Sequence, residues 1–249
     1  MAEFDPEPSR DTLLGGRAVL FQPVSGYRVA MDPVLLAAAV PAVAGDIVLD
    51  VGSGTGAAAL ALAARVPGVR VIGLDLQAPM VELAGRGAEA SGLASRVRFM
   101  AGDVLDPPRD LAESSFDHVM ANPPYRTGAH GSPSADDRKR AATVEGRAGL
   151  KDWLRFAFRM VRPGGTVTII HSIDRKDEVI DGLGDGGGDI VVLPLLPAPG
   201  KDAKRVIARA VKGGHGGPVT VPGLVLHGPD GGYTPEVQAI LRDAQALRV

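Results

Sequence analysis

The chain is predicted to be an α/β fold, a largely parallel sheet covered by helices. Three observations predict this. From Ile47 onward, short apolar β-branched runs alternate with helical stretches, an order that implies right-handed crossovers between parallel strands. The run Ile47-Val48-Leu49-Asp50-Val51 enters a glycine turn, Gly52-Ser53-Gly54-Thr55-Gly56, and leaves as the alanine-rich segment Ala57 to Ala64. The composition is aliphatic with only 4% aromatic residues, which suits strands buried on both faces. A length of 249 residues lets one domain enclose a large core.

In chain order, residues 1–45 form an N-terminal extension expected to cover the site, and 46–249 the main body of a single structural unit. The extension contains Phe21 to Pro33 and then a helix from Val34 to about Val40, with proline at its start. Strands follow at Ile47 to Val51, Val69 to Asp75, Val97 to Met100 and Phe116 to Ala121, with helices from Ala57 and over Pro79 to Ala90. A helix from about Leu150 to Val161 ends at Arg162-Pro163-Gly164-Gly165, and Thr166 to His171 is a fifth strand. Lys176 to Leu183 reads as helical before the Gly/Asp turn to Asp189. Ile190 to Leu193 and Arg205 to Val211 are then the last two core strands, in hairpin relation. The tail adds a strand near Leu224 to His227 and a helix opened by Thr234-Pro235-Glu236, a cap with proline at the first helical position.

Composition excludes several functions. No stretch reaches the roughly eighteen apolar residues of a membrane span, and the acidic, proline-containing start Met1 to Pro8 lacks the pattern of a secretory signal. A cytoplasmic location is expected. The absence of cysteine removes disulfides, thiolate nucleophiles and cysteine metal sites. His130, His171, His215 and His227 show no metal-ligand spacing. The net charge of −2 argues against bulk polyanion binding. Locally, Arg126, Arg138, Lys139, Arg140 and Arg147 crowd a Gly/Ser/Pro-rich loop, and Lys201, Lys204, Arg205, Arg209 and Lys212 form a second basic cluster. Charged loops are often merely solvated, but two such clusters fit a phosphate-bearing substrate.

The most informative tetrapeptide is Asn122-Pro123-Pro124-Tyr125, directly after the run Phe116 to Ala121. Each proline locks φ and holds the preceding residue extended, so the carbonyls of this turn cannot rotate away. Asn122 supplies a side-chain oxygen and Pro123 a backbone carbonyl, both acceptors, while Tyr125 offers a ring for stacking. Two acceptors and a ring describe a receptor for a planar amine or an amide. In the glycine turn, small residues admit a ligand to the backbone, and the helix that follows presents free N–H groups. About nineteen residues beyond Gly56, the strand Val71-Ile72-Gly73-Leu74 ends in Asp75, where nucleotide-binding α/β folds hold ribose hydroxyls. The glycines alone also satisfy a relaxed dinucleotide pattern, so a nicotinamide or flavin cofactor stays open at this point.

The ordered set of glycine loop, acidic strand end, Gly102-Asp103 after the third strand and Asn-Pro-Pro-Tyr after the fourth resembles the class I S-adenosylmethionine-dependent methyltransferases that modify amino groups. Gly26-Tyr27-Arg28-Val29-Ala30-Met31-Asp32-Pro33-Val34-Leu35-Leu36-Ala37 and Gly231-Gly232-Tyr233-Thr234-Pro235-Glu236-Val237 extend the likeness to the tRNA-1(Val) adenine-N6 methyltransferase family, from Phe21 to the C-terminus. The resemblance implies a Rossmann-like class I fold: a seven-stranded, mostly parallel sheet with an antiparallel last strand and helices on both faces. It further implies S-adenosyl-L-methionine as cofactor, tRNA as partner, and N6-methylation of an adenine in the anticodon loop. Arg126 departs from the family, which often has an aromatic residue there.

Carried over by residue, the resemblance implies that Gly52, Gly54 and Gly56 face the cofactor's amino-acid part, with Asp50 on its ammonium. Asp75 would accept from the ribose hydroxyls, Leu76 would belong to the same cofactor site, and Asp103 and Val104 would serve the adenine ring. Asn122 and Pro123 would accept from a flipped-out target amine, and Tyr125 would stack on its base. Pro124, Arg126, Arg138, Lys139, Arg140, Lys204 and Arg205 would complete the substrate side. Asp50 could instead cap the following helix and Asp103 open the following turn. Trp153, Phe156 and Phe158 read as helix packing, and Tyr27, Arg28 and Asp32 as lid or cover. Methylation of ribosomal RNA or DNA amines, or of a glutamine amide in a release factor, would use the same acceptors. A non-catalytic RNA-binding protein on this fold is the alternative of another class.

Overall fold

The computed structural model describes residues 7–24, 28–125 and 147–249. It opens with a hairpin of β1 (Ser9–Leu13) and β2 (Ala18–Gln22), paired antiparallel with Ser9 opposite Gln22. The reversal runs through Leu14, Gly15 and Gly16, all in the left-handed region with φ of 53°, 64° and 95°, which glycine adopts without Cβ strain. Helix α1 (Asp32–Ala39) follows, with proline in its first turn and a side buried along its whole length.

The main sheet is built from β3 (Ile47–Val51), β4 (Arg70–Asp75), β5 (Val97–Ala101), β6 (Phe116–Ala121), β7 (Val161–Ser172), β8 (Gly188–Leu196) and β9 (Arg205–Val211), in spatial order β5-β4-β3-β6-β7-β9-β8. Strand β9 is antiparallel to both β7 and β8, and the other core neighbours pair in parallel. Two short strands, β10 (Val219–Thr220) and β11 (Leu224–Val225), add to the edge of β8. The seven predicted core strands are therefore present, and the last of them in chain order, β9, is the antiparallel one, inserted between β7 and β8. The helices are α2 (Ala57–Arg65), α3 (Ala78–Ala90), α4 (Leu150–Met160), α5 (Lys176–Gly184) and α6 (Pro235–Asp243).

Strand alternation sorts the core into two layers. Val48, Val71, Met120, Ile170 and Ile207 face one side with α1, α2, α6 and the hairpin's Leu14 and Leu20. Leu49, Val51, Val119, Ile169 and Val206 face the other side with Leu154 and Phe158 of α4 and Val179 and Leu183 of α5. Each fully buried leucine in these layers contributes roughly 1.5–3 kcal/mol. The alanines of α2 keep that helix close to the sheet: Ala57, Ala59, Ala61 and Ala63 are at most 2% exposed.

Besides the short edge strand β10, which the sequence reading lacks, the N-terminal hairpin and the start of β7 differ from it. The N-terminal hairpin was not predicted; its β1 is polar on one side and only half-buried, so the strand carries little hydrophobic period. Strand β7 begins at Val161 rather than Thr166, because Val161 already pairs with Phe116 and the intervening Pro163-Gly164-Gly165 forms a register shift inside one strand. Gly164 takes φ +77° there.

Candidate active site

The ligand-sized cavity opens at the carboxyl ends of β3, β4, β5 and β6. The strand order reverses between β3 and β6, and open α/β sheets bind ligands in the crevice at that point. The cavity measures about 440 Å³, and its walls include Asp50, Gly52, Gly54, Asp75, Leu76, Asp103, Val104, Asn122, Pro123, Pro124 and Tyr125. Eleven of the residues singled out from the sequence thus meet at one place, although they span 76 positions from Asp50 to Tyr125. Gly56, also singled out, caps α2 just behind the loop with φ +86°.

The glycine loop is held by its own backbone. Gly52 and Ser53 donate to the Leu74 carbonyl at 2.7 and 3.0 Å, and Gly56 donates to Ser53 at 2.8 Å. Gly52, Gly54 and Gly56 all have positive φ, at 71°, 53° and 86°. At Gly54 a Cβ would meet nothing within 4 Å, so its backbone faces open space. At Gly52 a Cβ would fall 2.4 Å from Trp153. That indole, read from the sequence as helix packing, forms part of the cavity wall. Its place in the first turn of α4, one turn from the Gly149 cap, turns it toward the loop, and no periodicity would have shown this.

Three carboxylates converge on the cavity. Asp50 is 2% exposed and its Oδ2 accepts from the Ala59 amide of α2 at 3.1 Å, so the capping role is real. Burial pushes its carboxyl up to about 7, with the nearby Asp75 charge adding and the Ala59 bond opposing. Asp75 accepts from Gly54 at 2.7 Å and from Gln77 at 2.9 Å. Burial raises this carboxyl too, against the pull of those N–H groups. Asp103 accepts from Leu105 at 2.9 Å with Oδ1, the turn-opening bond, while its side chain still lines the cavity.

The Asn122-Pro123-Pro124-Tyr125 turn leaves β6 beside the glycine loop. Tyr125 is packed more closely than a free stacking ring. Its hydroxyl lies 2.7 Å from Asn122 Oδ1 and 2.9 Å from Asp32 Oδ2. The Arg205 guanidinium sits over one ring face, 4.5 Å from the centroid, and the His171 ring meets Tyr125 at 5.1 Å with a 61° interplanar angle. Arg205 also donates to Asp32 at 3.1 Å. Asp32 and Arg205 lie 93 and 80 positions from Tyr125, beyond the reach of any local motif.

The second basic cluster does not form one patch. Strand β9 runs antiparallel, so Arg205 stands at the site end opposite Ser172 while Val211 pairs with Thr166 at the far end. Lys212 donates to Val161 at that far end, and half-buried Arg209 donates to the Val249 carbonyl. Lys201 and Lys204 are exposed near Arg205. Arg147 lines the cavity. Tyr27, Arg126, Arg138, Lys139, Arg140 and Glu145 lie outside the described residues. Among the described residues no helix is long and apolar enough to cross a membrane.

Comparisons with known proteins agree with this geometry. A family model described as a methyltransferase domain matches residues 48–130. The release factor glutamine methyltransferase of Chlorobaculum tepidum is 31% identical over 153 residues, covering 59% of this chain and 52% of that protein. The match thus spans about half the length of that relative. A tRNA1(Val) (adenine(37)-N6)-methyltransferase of Aeromonas hydrophila is 29% identical over 209 residues, covering 83% of this chain and 85% of the relative. The crystal structure of a predicted O-methyltransferase from Agrobacterium tumefaciens superposes with a TM-score of 0.74 and 26% identity, over 88% of this chain and 99% of that one. The chain has the class I methyltransferase fold, carries a methyltransferase domain and resembles the tRNA1(Val) adenine-N6 methyltransferases.

Proposed function

We propose that this class I methyltransferase uses S-adenosylmethionine to methylate N6 of an adenine in tRNA, in the anticodon loop of tRNA-Val. The observation that carries the reading is the joining of the glycine loop, Asp50, Asp75 and the Asn122-Pro123-Pro124-Tyr125 turn around one cavity. The residues present fit the cofactor. Ser53 Oγ and Thr55 Oγ1 are buried without a hydrogen-bond partner among the described residues, and both residues line the cavity. Leu76 leaves 69% of its surface exposed at the same wall, an apolar face suited to a flat ring. The buried Asp50 carboxyl, raised to about 7, suits a cationic ammonium group.

Bound there, S-adenosylmethionine supplies an electrophilic methyl on a sulfonium. Gly52, Gly54 and Asp50 hold the amino-acid end, and Asp75 accepts from the ribose hydroxyls with the lone pairs left by its two N–H partners. Asp103 and Val104 flank the adenine ring. Asn122 and the Pro123 carbonyl accept the two hydrogens of the substrate amine. An adenine amine donates its lone pair into the ring, so two fixed acceptors in a dry cavity favour a pyramidal nitrogen whose lone pair is free. The proton leaves after transfer, to water, and no dedicated base is needed. Pro23, Val29 and Pro33 of the N-terminal extension line the cavity and serve as its cover.

A glutamine amide presents the same nitrogen, and the release-factor relative supports that as a second reading. The test is labelled methyl transfer to unmodified tRNA, ribosomal RNA and a release factor in parallel, with nucleoside mass analysis. Methyladenosine from tRNA is the expected product. Label confined to protein or to ribosomal RNA would overturn the tRNA assignment.

The Asp50 carboxyl makes cofactor affinity depend on pH. Its folded value is near 7, whereas an unfolded aspartate ionises near 3.9. Between those values the folded chain binds the extra proton, so stability falls as pH rises toward 7 and levels off above it. A cation beside Asp50 favours the charged form, so cofactor affinity rises with pH up to about 7, and binding below that pH releases a proton. Asp50→Asn keeps an acceptor for the Ala59 amide, and should raise the melting temperature of the free protein at pH 8 by about 5 °C. The same variant should bind the cofactor about tenfold more weakly, with a flattened pH profile. Calorimetry in buffers of different ionisation enthalpy checks the proton release; pH-independent binding by the unmodified protein would refute the assignment.

A further inference from the structure

We propose that Asp32, reaching Tyr125 from the start of α1, is a positioning residue that sets the orientation of the Asn122 amide and so creates the acceptor facing the substrate amine. This deepens the base-amine reading of the site and rests on it. The Tyr125 hydroxyl has one proton, and two side-chain acceptors among the described residues lie within its reach, Asp32 Oδ2 at 2.9 Å and Asn122 Oδ1 at 2.7 Å. It can donate to one of them only.

A carboxylate is the stronger acceptor, because charge-assisted hydrogen bonds are about twice as strong as neutral ones. Asp32 is held for that bond. Its side chain is 15% exposed, and the Arg205 Nε–H at 3.1 Å pins the same Oδ2. Arg205 in turn lies over the Tyr125 ring, so ring, hydroxyl and carboxylate form one braced unit. With the proton given to Asp32, the tyrosine oxygen presents lone pairs to Asn122. An amide oxygen 2.7 Å away would then be repelled. A half-turn of the amide relieves this by placing Nδ2–H against the tyrosine oxygen. Oδ1 moves to the opposite side of the amide and serves the cavity that Asn122 lines.

The chain of donation therefore runs from Asn122 Nδ2–H to Tyr125, and from Tyr125 O–H to Asp32. It leaves Asn122 Oδ1 to accept from the substrate. Without the carboxylate, Tyr125 donates to Asn122 Oδ1 instead, and the amide offers the cavity a donor where an acceptor is required. Asp32 acts through two other side chains and does not touch the reacting atoms.

The chain contains a single asparagine, Asn122, which makes the amide directly observable. In full-length protein labelled with ¹⁵N-asparagine, one side-chain amide pair appears. One of its two protons should be shifted downfield by donation to Tyr125. Asp32→Ala and Tyr125→Phe should each collapse that shift, and Asp32→Glu should restore it. This readout needs no turnover, so it remains decisive even if no RNA or protein acceptor is methylated. An amide pair insensitive to Asp32→Ala, at an unchanged melting temperature, would overturn the proposal. With unmodified tRNA-Val transcript, Asp32→Ala should lower kcat by about ten- to a hundredfold at unchanged cofactor affinity. The double variant with Tyr125→Phe should be no slower than Tyr125→Phe alone, and multiplicative losses would count against a shared chain. Absence of transfer to any acceptor by the unmodified protein would sink the functional reading while leaving the amide orientation to the spectrum.

Discussion

Asn122→Ala is expected to lower kcat for methyl transfer by about a hundred- to a thousandfold, the cost of removing one preorganised polar group from a dry site, while leaving cofactor affinity nearly intact. The asymmetry follows from where the side chain sits. Asn122 stands on the turn after β6, hydrogen-bonded to Tyr125, whereas the glycine loop is held by the Leu74 carbonyl and by Asp75. Removing the amide disturbs neither of those anchors. Because the amide would act on the nucleophile's geometry, the loss should fall on kcat and kcat/KM together. Rapid-quench single-turnover assays with saturating cofactor measure it. Turnover within a few-fold of the unmodified protein would end the assigned role.

Much of this site could be read from the chain because its parts are local. A glycine loop between Val51 and Ala57, an acid at the end of β4 and a proline-locked turn after β6 each sit within a few residues of a strand end. The parallel topology then brings the strand ends together without further information. What stayed hidden depends on distance along the chain or on which way a helix faces. Asp32 and Arg205 meet Tyr125 only because the start of α1 lies beside the turn that follows β6 and β9 runs antiparallel, with its first residue at the site. Trp153 shares its helix with Phe156 and Phe158, which are buried, so its type and spacing look like core. Its position over Gly52 follows from where the loop preceding α4 delivers the helix. The division of the basic cluster has the same cause: Arg205 and Val211 are close in sequence but sit at opposite ends of one strand.

The fold was legible for a related reason. Strands β3, β4 and β6 and the second half of β7 are largely buried and keep apolar runs that cannot be mistaken for loops. In the β1–β2 hairpin β2 carries a short apolar run, with Ala18, Val19 and Leu20 buried, whereas the polar β1 carries none. The hairpin covers the sheet's helices from outside, with Val19 N donating to Ser91 Oγ of the residue capping α3 at 2.8 Å, and one of its strands faces solvent.

Asp75→Ala should do the converse of the Asn122 substitution, weakening cofactor binding by about a hundredfold and leaving kcat at saturating cofactor within a few-fold. Two hydroxyl-to-carboxylate bonds are lost, each worth roughly 1.5 kcal/mol or more, and about 1.4 kcal/mol corresponds to tenfold in affinity. The carboxylate also orders the loop, accepting from Gly54 and Gln77, so alanine leaves two N–H groups without their partner. Stability is partly protected, because the same substitution removes a charge that burial disfavours. Asp75→Asn separates the two effects: an amide oxygen can still take the Gly54 N–H, while the charge for the ribose side is gone. It should therefore melt close to the unmodified protein yet bind the cofactor weakly. Trp153, the chain's single tryptophan, lies on the cavity wall over Gly52, so its fluorescence reports occupancy directly. Titration with S-adenosylmethionine gives the affinities. An Asp75→Ala protein that binds as tightly as the original would place the ribose-side contacts elsewhere on the wall, and with them the assumption that the end of β4 holds the cofactor.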